Sequence, residues 1–494
     1  MYLLGLDIGS SSIKAALVSA DSGAKVAHVQ SPDNELPIHA PQAGWAEQDP
    51  ETWWQHAGLA IRKLLHITGV SPGHIRGIGL AYQMHGLVLL DKGLQVLRPS
   101  IIWCDSRAVD IGQQAFEQLG QEQCLGRLLN SPGNFTASKL RWVRENEPAV
   151  YERIRYFMLP GDYIAFRLSG EALSTPGGLS EGVLWDFSTE QPARLLLDHY
   201  DIDPALIPPL TPALSMQGRL SPEAAAHTGL KAGTPLCYRA GDQPNNALSL
   251  NVLSPGEVAA TGGTSGVVYG VVDRPLHDSR SRVNGFLHVN HRPENPRIGI
   301  LLCINGAGSQ YAWVKRNVAE AGLDYPQMEA AAAALAPGSD GLRILPFGNG
   351  AERMLDNRDP GAHILGLRSN LHTRAHLYRA TLEGIAFSFV YGVGIMQDMG
   401  LTVNKLRVGN DNLFQSAVFS RTMAGLLRCP IEIYDTSGAV GAAIAAGAGL
   451  GHFASLEEGL AKLRIVETYE PEQSGGLEDS FEDWKGVLGR VLED

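Results

Sequence analysis

Two strand-turn-strand units, one opening each half of the chain, constrain this sequence more than any other feature. In the first, Tyr2 to Ile8 predicts a strand, Gly9-Ser10-Ser11-Ser12 a tight turn and Ile13 to Val18 a second strand. In the second, Glu257 to Thr261 predicts a strand, Gly262-Gly263-Thr264-Ser265-Gly266 the turn and Val267 to Val272 the return. A supersecondary unit that recurs once in each half points to two similar domains facing each other. The turn residues Asn251-Val252-Leu253-Ser254-Pro255-Gly256 set the boundary, giving domains 1–250 and 251–494. A chain of 494 residues is too long for one ordinary core, and a cleft between two domains is where a ligand is expected.

The remaining pattern is mixed α/β. Strands are expected at Lys25 to Val29, Ile75 to Ala81, Leu87 to Leu90, Lys405 to Val408 and Ile431 to Tyr434. Helical periodicity covers Thr52 to Ile67, Tyr311 to Glu320, Pro326 to Ala336, Arg374 to Met399 and Phe414 to Leu427. A small-residue helix, Ala439 to Gly449, is expected to complete the second domain, and the charged tail after Leu450 to pack as one or two outer helices.

Charge and cysteine usage exclude several classes. The formal net charge is −12 with no block of Lys or Arg, which argues against a nucleic-acid or anionic-membrane partner. An acidic chain that binds an anionic nucleotide must do so locally, through backbone amides and a metal ion. The five cysteines are scattered, with no CxxC pair, which favours a reducing compartment. The start has no basic leader, and no apolar run is long enough to span a bilayer, so a cytoplasmic protein is expected.

Asp242 stands in Ala240-Gly241-Asp242-Gln243-Pro244, where its carboxylate can take the proton of a substrate hydroxyl or cap a helix that begins at Pro244. Gly263, Thr264 and Ser265 offer amides and hydroxyls with little bulk, suited to phosphate, although a plain bend between strands has the same composition. The loop is neither a Walker A nor a dinucleotide-binding glycine motif. Asp7, at a strand end before exposed amides, can face a magnesium ion, and Lys14 on the next strand reads as solvated. In Tyr82-Gln83-Met84-His85-Gly86, Gln83 and His85 are hydrogen-bonding groups suited to a polyol; Trp103 adds an aromatic face, and Asp105 with Arg107 a charge pair. A carboxylate base beside a phosphate turn is the minimal equipment for moving a phosphoryl group onto an alcohol.

These segments, together with Phe135 to Trp142 and His376 to Gly384, resemble the FGGY carbohydrate kinases in family order over almost the whole chain. The resemblance implies two actin-like (ribonuclease H-like) ATPase domains with ATP and a sugar in the cleft between them. It implies Asp242 as the base, Asp7 near magnesium and Thr264 near the terminal phosphates. Met84, His85, Trp103, Asp242 and Gln243 would contact a ketopentose, with Gly263, Ser265, Gly306, Ala307, Gly409 and Asn412 along the nucleotide. The expected reaction is ATP-dependent phosphorylation of D-xylulose at its 5-hydroxyl. Ribulose or glycerol as substrate, and an actin-like ATPase that needs no sugar, stay open as alternatives, as does a homodimer.

Overall fold

A computed structural model describes residues 1–472 and 475–493. The first sheet is built from β1 (Tyr2–Ile8), β2 (Ile13–Ser19), β3 (Lys25–Ser31), β4 (Ile75–Tyr82), β5 (Leu214–Arg219) and β6 (Pro235–Gly241), in the order β5-β6-β4-β1-β2-β3. β1, β4 and β6 run parallel, while β2 and β3 fold back antiparallel.

The second sheet contains β7 (Glu257–Gly262), β8 (Gly266–Val272), β9 (Asn284–Leu287), β10 (Ile298–Ile304), β11 (Lys405–Gly409), β12 (Ile431–Tyr434) and β13 (Ile465–Tyr469). Its order, β9-β10-β8-β7-β11-β12-β13, carries the same kernel: an antiparallel triplet β10-β8-β7 followed by parallel β11 and β12. The duplication seen in the two turns is therefore a duplication of whole sheets.

β1 shows why the first sheet is covered on both sides. Leu4, Leu6 and Ile8 point to one face and join the apolar cluster of α1 (Pro50–Thr68), which includes Trp53, Trp54 and Ile61. Asp49 caps α1 by accepting from Glu51 N, and Gly69 closes it at φ 64°, the left-handed geometry that glycine adopts without strain. Leu3, Gly5 and Asp7 take the opposite face.

The helix expected to complete the second domain, α5 (Gly438–Gly449) after α2 (Asp242–Ser249), α3 (Gly308–Asn317) and α4 (Arg374–Asp398), lies instead on that opposite face of the first sheet. Its small residues let the backbones meet: a Cβ on Gly5 would stand 1.8 Å from Ala439 O, and one on Gly79 2.0 Å from Ala442 O. Gly79→Ala should therefore cost about 1–3 kcal/mol. By contrast Gly489→Ala, with nothing within 4 Å in the terminal helix α6 (Leu477–Glu493), should stabilise by about 0.5–1 kcal/mol. Thermal melts of the two variants check the contrast.

Other departures are local. The charged tail supplies the edge strand β13 as well as two helices, Leu456–Leu460 and α6. The expected helix from Phe414 begins only at Ala417, where Ser416 Oγ accepts from Phe419 N, after a short 3-10 turn over Asn412–Gln415. Among the described residues no helix is long and apolar enough to cross a membrane.

Candidate active site

Parallel strands bring the chemistry-bearing residues together. Register places Asp7 beside Ala81 and Gly241 beside Tyr82, so β1, β4 and β6 end side by side. Their carboxyl ends release Asp7, the Gln83-Met84-His85 segment and Asp242-Gln243, at the edge where ligands bind in open α/β sheets. The second sheet does the same. β7 ends in the Gly262–Gly266 turn, β11 in Gly409 followed by Asn412, and β12 at Tyr434 beside Gly409.

Asp242 opens α2, and its carboxyl is pushed up to about 7, first by burial and then by the charge of Asp7. Burial also raises the Asp7 carboxyl, which Lys14, its cross-strand partner, partly offsets. The first residue of α5 abuts Asp7: a Cβ on Gly438 would lie 2.8 Å from Asp7 Oδ2. Asn245 of α2 donates to Gly438 O at 2.9 Å, tying the helix that carries Asp242 to the helix that faces Asp7.

Lys14 gains importance over its sequence reading. It is exposed, yet its charge lowers the carboxyls of Asp7, Asp242 and Asp411, the last of which belongs to the loop after β11. One ammonium thus answers three acids drawn from both halves of the chain.

His85 is held from three directions. Its backbone N donates to Glu181 Oε2 at 3.2 Å, its Nδ1 donates to Glu181 O at 2.8 Å, and its carbonyl accepts from Lys139 Nζ at 2.8 Å. These bonds stabilise φ at 62°, unusual for a residue with a Cβ. Burial, then the charge of Lys139, pushes the imidazole down to about 3, so the ring is neutral. A carbonyl only accepts, so Nδ1 carries the proton and Nε2 presents a lone pair to a donor such as a sugar hydroxyl.

Met84 is buried against Gly241, where a Cβ would meet its side chain at 2.6 Å. Trp103 is 52% exposed, so it is not core, and its Nε1 donates to Ser10 Oγ at 3.2 Å. Gln243 is partly buried beside Asp242.

On the other side, Thr264 is exposed at the tip of its turn, with Ser265 partly buried beside it. α3 supports that turn directly: Gly308 N donates to Gly263 O and Ser309 N to Thr264 O, both at 3.0 Å. Asn412 adopts φ 51°, and its Nδ2 lies 3.9 Å from where a Cβ on Gly263 would be. The amide of Gly306 is already committed to Glu352 Oε1 at 2.7 Å, and its Cα face lies on Pro346 O. Ala307 is fully buried at the start of α3.

The two sides meet. Cys303, near the end of β10 and opposite Val267 in register, has its thiol raised by burial and, more weakly, by the Asp242 carboxylate. A cavity of about 960 Å³ adjoins the site through Met84, Glu181 and Gly241 but includes neither Asp242 nor Thr264 in its walls.

Glu181 and Arg353 are marked out by no local pattern, and Lys139 lies in the Phe135 to Trp142 segment without an assigned role. Lys139 has no exposed surface and is pushed down to about 7 by burial; it spends its ammonium on the carbonyls of His85 and Ile102. Glu181 is raised well above the usual carboxylate range by burial.

Two sheets of one kernel, meeting at the Asp242 carboxyl, a polar pocket and a glycine-rich turn, fit a phosphotransferase of the duplicated actin-like class. Residues 2–249 match the N-terminal domain, and residues 258–450 the C-terminal domain, of the FGGY family of carbohydrate kinases. The chain belongs to this family and is a sugar kinase with ATP as co-substrate.

It is 30% identical over 468 residues to the xylulose kinase of Bacillus subtilis (strain 168), covering 92% of this chain and 90% of that one. It is 31% identical over 490 residues to the L-xylulose/3-keto-L-gulonate kinase of Escherichia coli (strain K12), covering 96% and 93%. The crystal structure of xylulose kinase from Rhodospirillum rubrum superposes with a TM-score of 0.88 at 29% identity, covering 100% of both chains.

Proposed function

We propose that the chain transfers the γ-phosphoryl group of ATP to the 5-hydroxyl of D-xylulose, giving D-xylulose 5-phosphate and ADP. The observation that carries this reading is the Asp242 carboxyl, set at the end of β6 beside the Gln83-Met84-His85 segment and pushed up to about 7, where it is basic enough to take a hydroxyl proton and ionised in about half of the molecules at neutral pH. Met84, His85, Trp103 and Gln243 surround the sugar. The Nε2 lone pair of His85 accepts from one hydroxyl and the indole of Trp103 covers a carbon face. Gly263, Thr264 and Ser265 receive the terminal phosphates, with Gly306, Ala307, Gly409 and Asn412 along the rest of the nucleotide.

Asp7 suits magnesium: it is a buried carboxylate at the end of β1, electrostatically coupled to the Asp242 carboxyl, and this ion is held by one or two carboxylates together with substrate phosphates. When bound it would neutralise phosphate charge. The division into 1–250 and 251–494 places the base in the first part and the phosphate turn in the second. Each chain carries both, so one copy suffices without a homodimer. All five cysteines are free, which suits the cytoplasm.

A substrate panel with coupled ADP detection tests the choice of sugar. D-xylulose should give the highest kcat/KM among D-xylulose, L-xylulose, D-ribulose and glycerol. A clear preference for glycerol would overturn it, and ADP formation at full rate without any sugar would point to an actin-like ATPase.

A further inference from the structure

One charge near His85 has no counter-ion. Arg353 is partly buried in a short 3-10 turn, Arg353–Leu355, and burial lowers its pKa. Its Nη1 donates to Asn284 Oδ1 at 2.5 Å, a neutral acceptor. The neighbouring carboxylate, Glu352, faces elsewhere and accepts from Asn305 N and Gly306 N at 2.9 and 2.7 Å. Among the described residues, no carboxylate pairs with Arg353. A desolvated cation without an anion is costly, and such sites persist where a ligand supplies the missing charge.

The position of Arg353 is fixed by what surrounds it. Asn284 donates to Asn130 Oδ1 at 2.7 Å, bridging the two halves of the chain. Two residues along β9, the ring of Phe286 lies 5.6 Å from the ring of His85. The Arg353 charge acts on His85 in the sugar pocket and also on Cys303, which the Asp242 carboxylate reaches too. Cys303 and Ile304 pair with Val267 and Gly266, the residues that leave the Thr264 turn. The guanidinium is therefore tied through Asn284 and the paired strands β9 and β10 both to the sugar pocket and to the strand that leaves the phosphate turn.

We propose that Arg353 is a catalytic residue that binds the transferring phosphoryl group. The proposal rests on the reading of Asp242 as base and the Thr264 turn as phosphate site. In the step it serves, the bond from the γ-phosphorus to the bridging oxygen breaks and its electron pair leaves with ADP. A new bond forms from phosphorus to the sugar oxygen, whose proton passes to Asp242. Arg353 neither gains nor loses a proton; its planar fork hydrogen-bonds the phosphoryl oxygens as charge moves between the two partners. Asn284 orients the fork through the one nitrogen it occupies.

The test is steady-state kinetics of Arg353→Ala and Arg353→Lys with ATP and the sugar that the wild type turns over best. Arg353→Ala should lower kcat about 10³-fold, the low end for an arginine at a transferring phosphoryl group, with both KM values within about threefold. Added guanidinium should restore at least about tenfold of the lost rate, which a merely structural role would not allow. Arg353→Lys should retain the wild-type melting temperature and lose about 10- to 100-fold in kcat, and it decides the matter if the alanine variant fails to fold. A kcat within threefold of wild type for either variant would overturn the proposal, as would a rise confined to the sugar KM. Wild type that makes no sugar-dependent ADP would instead show that the underlying kinase reading has failed.

Discussion

Asp242→Asn will fold and lose about 10²- to 10⁴-fold in kcat, the range that a positioned base contributes. Asn keeps the shape and one acceptor oxygen but cannot take the hydroxyl proton. In the wild type, kcat/KM should rise about tenfold per pH unit up to about 7, because only the ionised Asp242 acts as a base. His85, held down at about 3, stays neutral throughout that range and cannot produce this limb. Lys139, pushed down to about 7, bends the profile the other way, since it loses its ammonium as pH rises.

The same substitution changes stability in the opposite sense. The folded Asp242 keeps its proton up to about 7, whereas the unfolded carboxyl loses it near 3.8, so between those values the folded state binds more protons. Stability therefore falls as pH rises through that window and stays low above it. Asparagine does not ionise and removes the fall. Asp242→Asn should melt higher than wild type at pH 8 and about equally at pH 3.5. A variant that is inactive because it is misfolded would melt lower at both.

Gly308→Ala should damage nucleotide use rather than sugar use. A Cβ at Gly308 would stand 2.3 Å from Gly263 O, a backbone atom that cannot rotate away. Making room displaces the turn that Gly308 N and Ser309 N hold through Gly263 O and Thr264 O. A misplacement of about 1 Å near reacting groups is worth about 10²-fold in rate. The KM for ATP should rise at least about tenfold and kcat fall by a similar factor, while sugar binding measured by calorimetry without nucleotide stays within about threefold. Loss of sugar binding alone would place the turn on the wrong side of the cleft.

What was legible in the sequence was local. Asp7, Asp242 and the Thr264 turn announce themselves because glycine, serine and threonine between β-branched runs encode turns by their own backbone preferences. Most strands of both kernels followed from period and length, but β6 and β10, buried runs with no alternating pattern, were not among those expected. What was not legible depends on neighbours far away in the chain. Lys139 and Glu181 carry no local sign of their burial, which folding imposes by bringing both around His85. Asp105 and Arg107 read as an ordinary ion pair, yet both are buried, and Arg107 also meets Glu47 and the ring of Trp45. α5 is uniformly apolar, so its composition says that it is enclosed but not which sheet encloses it. β13 escaped notice because four of its five residues are exposed and carry no alternating pattern.

The most direct measurement is the position of the phosphate on the product formed from D-xylulose and ATP, read as carbon-phosphorus coupling by NMR, for wild type and Asp242→Asn side by side. Wild type should place the phosphate on C5, and the variant should form less than about one hundredth as much in the same time. Phosphate on another carbon, or wild-type yield from the variant, would contradict the assignment of Asp242 as the base that aims the 5-hydroxyl at ATP.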